Sequence, residues 1–538
     1  MVACSSDSAG PSPLPSCGAH GTQLTLAVGA YTSIDPASDS GCVTFAANTS
    51  ADTAEYMVLP WSAGGAFASA PFRLQSAAPL ASVAMSSAPG PTAAQSRRAL
   101  PVAFDHFLRE LGRTRRYPQV TGRSSPLAAA APQPSAAAGP PTVGDQRTFK
   151  VCSTLSCTPT VNVGAVARAV GTHIAIYIDT LAPSPGLSAS DLDSLKTVFD
   201  TRLYPLDTTT FGHVSDIDAN TVVIVLMTNQ VNKLVTAADC NKPGGGYIAG
   251  FFFPGDLDPG FAASFNNGEI FYSIVADPSG TLSCAHTNSD VNRFTPITFT
   301  HEFQHMINFA EHVLVRGATN TEEGWLDEGL SKYAEEIAGR SFGDQAHFSQ
   351  YASGDAYDSY QYLLATGDTP LLIPADQGTL AMVGASWLFT RYIVDQFGNA
   401  LPGKLVQTSL IGAANVAAQT GQPFDQTVSR WALANWVSDL PGFSAPSELQ
   451  YTSWHFRTTD SSLHSQHPTD FPLAYPLVPT RSAGSAVNIS GTLHSGSGEY
   501  QRAVQAPGGA AFTLHFSANG TTAVSPAIVP RLVVLRVR

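Results

Sequence analysis

His301-Glu302-Phe303-Gln304-His305 sets two imidazoles four residues apart with a carboxylate between them. On an α-helix that spacing puts both rings on one face, about one turn apart, so both can offer a ring nitrogen to one ion. Glu302 is turned by roughly 100° from His301. It is poorly placed as a ligand but able to reach a water molecule held by the ion. Trp325-Leu326-Asp327-Glu328-Gly329-Leu330-Ser331 follows a short distance on, and Glu328 is the candidate third ligand. Two imidazoles, one anionic ligand and a spare carboxylate are the set that hydrolysis at a zinc ion requires, with one coordination position left for water. A structural zinc site is the alternative, but such sites usually use cysteine and close all four positions.

The elements that must present these groups read as two helices. Thr295 suits the N-cap of the first, Pro296 its first position and Gly317 its stop. The second is expected to be capped by Thr321, with Glu322 and Glu323 in its first turn favouring the helix dipole, and to end near Gly339. Ser331 and Glu335 follow Glu328 by three and seven residues, on the same face. Helical spacing favours an exposed carboxylate at Glu335. The alternative is an acceptor for the outer nitrogen of a ligand histidine.

HEFQHMINF followed by WLDEGLSKYAEE resembles the glutamate-liganded zinc peptidases, the gluzincins, and most closely the hyicolysin-like secreted bacterial metallopeptidases. The WLDEG block is also similar to the WLNEG block of the aminopeptidase N family, in which the glutamate is a zinc ligand. The resemblance is specific over about forty residues and looser over roughly residues 145–445. It implies His301, His305 and Glu328 as ligands of one Zn2+ ion, Glu302 as general base, and an upper α+β half meeting a lower helical half. It further implies an edge strand near Gly268–Val275 that pairs with extended substrate, an ordinary inner strand being the alternative. Two departures stand out. Lys332 occupies the place where the thermolysin pattern has aspartate, and Ala381 the place where the aminopeptidases have an oxyanion-stabilising tyrosine. With no exopeptidase motif of the GAMEN kind, the resemblance points to endopeptidase action. Tyr360, Tyr362 and His347 have the chemistry for the missing electrophile, though each also reads as a structural residue.

The 538 residues suggest roughly two to four domains. A 43% hydrophobic content is ample for cores, and a 13% charged content is low. The net charge of −13 argues against nucleic acid or an anionic membrane as partner. No apolar run approaches a transmembrane segment; the longest strong run is Val222–Met227. Seven cysteines fall as Cys4, then Cys17 and Cys42, Cys152 and Cys157, Cys240 and Cys284. Three sequence-local pairs would leave Cys4 over, the spacing does not fix the connectivity, and disulfides fit an oxidising compartment. Met1-Val2-Ala3-Cys4 resembles the end of a bacterial lipoprotein signal, in which the cysteine becomes a lipid anchor, but the charged and apolar parts of such a signal are missing. A different start, a trimmed chain or an accidental match all stay open.

The fold class expected is α+β: a zincin-like domain of mixed sheet and active-site helix with a helical lower half, and small β domains at the N- and C-termini. Residues 1–19 read as a tether, 20–76 as a small β domain, and 77–143 as an Ala/Pro-rich linker. That linker contains a short basic helix, Asp105–Arg116, read as a solvated helix with a processing region as the alternative. Residues 144–445 read as the metallopeptidase domain and 446–538 as a β-sandwich-like domain. Within these, Thr172–Asp179 and Asn220–Met227 are strands, Ser188 caps a helix, Pro243–Gly246 is a turn, and Phe251–Phe253 is core. Gly384–Phe397 and Phe424–Leu440 are helices whose Trp387, Trp431 and Trp436 are core. Phe512, Leu514 and Phe516 share one face of a strand, and Arg531–Arg538 forms another. The function expected is a secreted or surface-anchored zinc endopeptidase acting on protein or peptide substrates, extracellular or at the cell surface. The competing class is a surface binding or adhesion protein with an inactive zincin-like module.

Overall fold

The computed structural model describes residues 17, 21–38, 40–77, 100–118, 139–242, 245–374 and 378–538. The chain is α+β and divides into two compact units. One holds residues 96–359 and 373–420, the other residues 1–95, 360–372 and 421–538. Cys4 and its signal-like surroundings lie outside the described residues, as do Pro243 and Gly244 of the expected turn. Among the described residues no helix is long and apolar enough to cross a membrane.

The first unit opens with helix α1 (Leu100–Thr114). Its mixed sheet comprises β1 (Gln146–Cys152), β2 (Thr160–Val170), β3 (Ile174–Asp179), β4 (Val223–Met227), β5 (Gly250–Phe252) and β6 (Ile270–Ser273), in the order β5-β6-β4-β3-β2-β1. β6, β4 and β3 run parallel, and antiparallel neighbours flank them on both sides. β4 is buried throughout, as its unbroken apolar run requires of a central parallel strand. Between β3 and β4 lies α2 (Ala189–Val198), capped by Ser188 in a capping box with Asp191. The Gly268–Val275 segment therefore holds an inner strand. One edge of the sheet is β5, which overlaps the Phe251–Phe253 run, whose side chains are also core.

Three further helices complete the scaffold of the site. α3 (Asn288–Phe309) carries the HExxH sequence and begins eight residues before the expected cap, at Thr287. The Thr287 side chain accepts from Asp290 N, and the Asp290 carboxylate accepts from Thr287 N, a reciprocal cap that outweighs the preference of Pro296 for a first turn. Pro296 sits inside the helix. A π-helical turn, Ala310–Val315, prolongs it to Gly317, which takes φ +66° as a stop requires. α4 (Gly324–Ser341) has Glu323, not Thr321, at its N-cap. Glu322 is drawn away into the interior, accepting from Gly412 N at 2.6 Å and Asn415 Nδ2 at 2.8 Å. α5 (Leu380–Phe397) packs closely on α4. A Cβ on Gly329 would fall 2.3 Å from Thr390 Oγ1 and 2.7 Å from Ser386 O, so the glycine next to Glu328 sets how near the two helices approach.

The other unit differs from the expected pair of terminal β domains. Strands from both ends of the chain interleave in two five-stranded sheets. Ala54–Ser62 lies between Gln501–Gln505 and Pro530–Arg536; Phe512–Ser517 lies between Cys42–Phe45 and Ser69–Ser76. Each end supplies five strands, but most ladders pair a strand of one end with a strand of the other, so neither end forms either sheet by itself. Together they enclose one core that includes Phe45, Val58, Leu74, Phe512, Leu514, Phe516 and Leu532. Phe45 stacks on Phe512 with ring centres 4.5 Å apart. Helix Phe424–Val437, expected in the metallopeptidase domain, groups with this sandwich: Arg531 pairs with Asp425 at 2.8 Å, and Tyr500 OH donates to Ala432 O at 2.6 Å. Disulfides join Cys17 to Cys42, Cys152 to Cys157 and Cys240 to Cys284.

Sheet sharing has a direct consequence. Residues 20–76 expressed alone are expected to show no cooperative unfolding transition in urea. Leu514→Ala in the whole chain is expected to cost about 2–5 kcal/mol. A cooperative transition in the isolated segment would contradict the shared core.

Candidate metal centre

His301, His305 and Glu328 come together. One ligand atom from each lies within 4.8 Å of the others. The two Nε2 atoms are 3.2 Å apart, and Glu328 oxygens stand 3.7 Å from each of them. Tetrahedral ligands about 2.0–2.1 Å from an ion sit roughly 3.3–3.4 Å from one another, so the triangle has the size of a zinc coordination shell. All three side chains are largely buried, and Glu328 Oε1 meets no donor in the protein.

The outer nitrogens decide what the inner ones can do. His301 Nδ1 lies 2.7 Å from Glu335 Oε1, and His305 Nδ1 lies 3.0 Å from Asp327 Oδ2. The Glu335 hydrogen bond holds the proton of His301 on Nδ1, which leaves Nε2 of the neutral ring with a free lone pair, and the Asp327 carboxylate close to His305 Nδ1 favours the same tautomer there by its charge. The donor set therefore fits a divalent ion. Glu335 is buried rather than exposed, because Lys332 turns inward beside it at 3.2 Å and also meets Asp355 at 3.4 Å and Asp358 at 3.7 Å. Asp327 also accepts from Asn308 Nδ2 and faces Arg109 Nη1 at 3.9 Å. Ser331 takes no part through its side chain; its hydroxyl donates to Glu328 O at 2.9 Å.

Glu302 Oε2 accepts from Phe252 N at 2.8 Å. Burial raises its carboxyl above the ordinary range, against the charges of His301 and Arg109 and the Phe252 hydrogen bond. Such a group is a stronger base than a free glutamate. Burial likewise raises Glu328, to about 7. His301 is pushed the other way from a buried imidazole: burial disfavours its charge, but the Glu335 hydrogen bond and the charges of Glu302, Glu335 and Glu328 prevail, lifting it to about 9. Burial and the Arg109 charge hold His305 down to about 3 despite Asp327.

Two further residues at the site were not legible as such. Asp327 stands beside Glu328 in the quoted block, and its contact with His305 shows only through the packing of α4 on α3. Arg109, which faces Asp327, lies on α1, the helix expected to be solvated. Arg109 is 4% exposed and Leu108 fully buried. The separation of α1 in sequence from the HExxH residues leaves no local signal. Two of the three expected electrophiles have their polar atoms engaged by other groups. The Tyr360 hydroxyl bonds to Leu473 N and O, half-exposed His347 pairs with Asp344, and Tyr362 stacks on Trp431 with its hydroxyl buried and without a hydrogen-bond partner.

A metal ion must displace the protons of His301 below about 9 and of Glu328 below about 7. Metal affinity is therefore expected to climb as pH rises through this window and to level off above it, as read by competition with a chromogenic chelator. Asp327→Asn and Glu335→Gln are each expected to weaken it about 10–100-fold at neutral pH. Affinity that is flat with pH and indifferent to both changes would contradict the arrangement.

No family model matches the chain. It is 28% identical over 139 residues to the neutral metalloprotease ShpI of Staphylococcus hyicus, a stretch amounting to 26% of this chain and 29% of that protein. The chain thus matches less than a third of its relative's length. This is a distant, partial similarity to a metallopeptidase, and it agrees with a group of side chains that could hold a metal ion.

Proposed function

We propose that the chain is a zinc-dependent endopeptidase of the glutamate-liganded type, with His301, His305 and Glu328 as ligands and Glu302 as general base. The observation that carries this reading is the pair of carboxylates at the outer imidazole nitrogens, which aims both Nε2 atoms and Glu328 at one point. The mixed sheet beside the HExxH helix supports a zincin-like domain. When bound, zinc would polarise the scissile carbonyl and acidify a water molecule. Glu302 takes the proton of the attacking water at its carboxylate and passes it to the departing amine. Asp327 and Glu335 hold the imidazoles in register through the cycle. β5, on the sheet edge, offers main-chain pairing to an extended polypeptide, which favours cleavage within chains and tolerance of side-chain sequence. The three disulfides support an extracellular or cell-surface location. Lipid attachment at Cys4 is part of the same reading and is open to mass analysis of the cell-bound protein.

Glu302→Gln keeps the shape of the side chain and removes the base. It is expected to lower cleavage of casein, or of an internally quenched peptide, by at least about 100-fold with bound zinc unchanged. His305→Ala and Glu328→Ala are expected to lose zinc and activity together. Full activity in zinc-loaded Glu302→Gln would remove the assigned base, and zinc-loaded protein inert toward every polypeptide would favour a binding module.

A further inference from the structure

A second group of acids forms where the loop before β4 meets the start of β6. One carboxylate oxygen from each of Asp216, Asp218 and Glu269 lies within 4.8 Å of the others. Oxygens about 2.3–2.6 Å from one Ca2+ ion stand at most roughly 5 Å apart, so the three can share one ion. The main chain sets the meeting point, since Ile224 N in β4 donates to Glu269 O at 2.7 Å.

The sequence of the loop fits the same ion. Asp216-Ile217-Asp218-Ala219-Asn220 has the alternation of the first five positions of an EF-hand calcium loop. The sixth position of such a loop makes a sharp turn that usually requires glycine. Here Thr221 makes it at φ +66°, with its N–H donating to Asp216 Oδ1 at 3.1 Å. The twelfth position, where such a loop has glutamate, is Met227 inside β4. The carboxylate comes instead from Glu269, just before the neighbouring strand.

Glu269 is 1% exposed. Its Oε1 accepts from Ser215 Oγ at 2.6 Å and Ile217 N at 3.0 Å, which fixes the carboxylate against the loop. Its Oε2 is closed off from solvent and meets no donor among the described residues. A buried carboxylate oxygen with no donor needs a cation beside it. Arg147 faces the group, with Nη1 3.6 Å from Asp218 Oδ2, but its Nη2 donates to Asn266 O. One guanidinium does not balance three carboxylates. The donors of the group are all oxygen, which selects a hard cation. Three carboxylates on two separate segments suit Ca2+, which tolerates irregular geometry, better than Mg2+, which demands a near-octahedral shell.

We propose that Asp216, Asp218 and Glu269 form a calcium site that clamps the loop 212–222 to the sheet. The site goes beyond the metallopeptidase reading and does not depend on it. The other end of the loop is held by the π-helical turn after α3, where Glu311 Oε1 accepts from His213 N at 2.7 Å. The ion therefore stabilises the connection between the sheet and the end of the HExxH helix, and its role is structural.

Full-length chain reconstituted with zinc alone is to be titrated with calcium chloride by calorimetry, with the unfolding midpoint followed by circular dichroism. One calcium per chain is expected, with a Kd of roughly 0.1–1 mM. The midpoint is expected to rise by about 3 °C or more in about 10 mM Ca2+, and not in the same concentration of Mg2+. Asp216→Asn, at an exposed position, and Glu269→Gln are each expected to weaken calcium binding at least about tenfold with bound zinc unchanged. His305→Ala is expected to keep the calcium response. No binding heat and no midpoint shift in wild type would overturn the proposal. Binding undiminished in both acid variants would overturn it by placing the ion elsewhere, and an equal response to Mg2+ would overturn the choice of calcium. Loss of the response in His305→Ala would also overturn it, by assigning the calcium effect to the candidate zinc site.

Discussion

The site depends on two short contacts between a carboxylate and an outer imidazole nitrogen, Glu335 with His301 and Asp327 with His305. A buried imidazole is otherwise free to choose its tautomer. Either wrong choice turns an N–H toward the point where a cation must sit. Both contacts come from α4, the helix that also supplies Glu328, so one helix holds both histidines of the candidate site and contributes its third member. Any shift of α4 against α3 would disturb all three at once.

The surroundings serve that constraint. Gly329 lets α5 approach α4 closely behind Glu328. Lys332, in turn held by Asp355 and Asp358, keeps Glu335 charged in the interior; burial opposes that charge, but Lys332 and His301 outweigh it. Arg109 reaches from α1 toward Asp327 while bonding the edge strand. Glu302 is left outside the ligand triangle, tied to β5 by one backbone hydrogen bond. The proposed base, the proposed ligands and the edge strand β5 are therefore linked through a few backbone and carboxylate contacts.

The parts of this arrangement that could be read from sequence are the local ones. Helical spacing alone brings His301 to His305, and the resemblance of WLDEG singles out Glu328. The face shared by Glu328 and Glu335 is also a matter of spacing, but its burial is not, because that depends on Lys332 and the acids behind it. The start of α3 was obscured by Pro296, whose usual place in a first turn competes with an equally local cap eight residues earlier at Thr287 and Asp290. Long-range pairing left no trace. The alternation of Phe512, Leu514 and Phe516 announces a half-buried strand but not that its neighbours are Cys42–Phe45 and Ser69–Ser76. Likewise the basic residues of α1 suggest solvent, while its Phe104, Leu108 and Leu111 face the interior.

The central claim is a single ion held by two Nε2 atoms and one carboxylate. X-ray absorption at the zinc edge of the loaded chain tests it most directly. The account predicts a first shell of nitrogen and oxygen only, at about 2.0–2.1 Å, with the outer-ring scattering of two imidazoles that falls to one in His305→Ala. A sulfur shell at about 2.3 Å, or a spectrum without imidazole scattering, would contradict it.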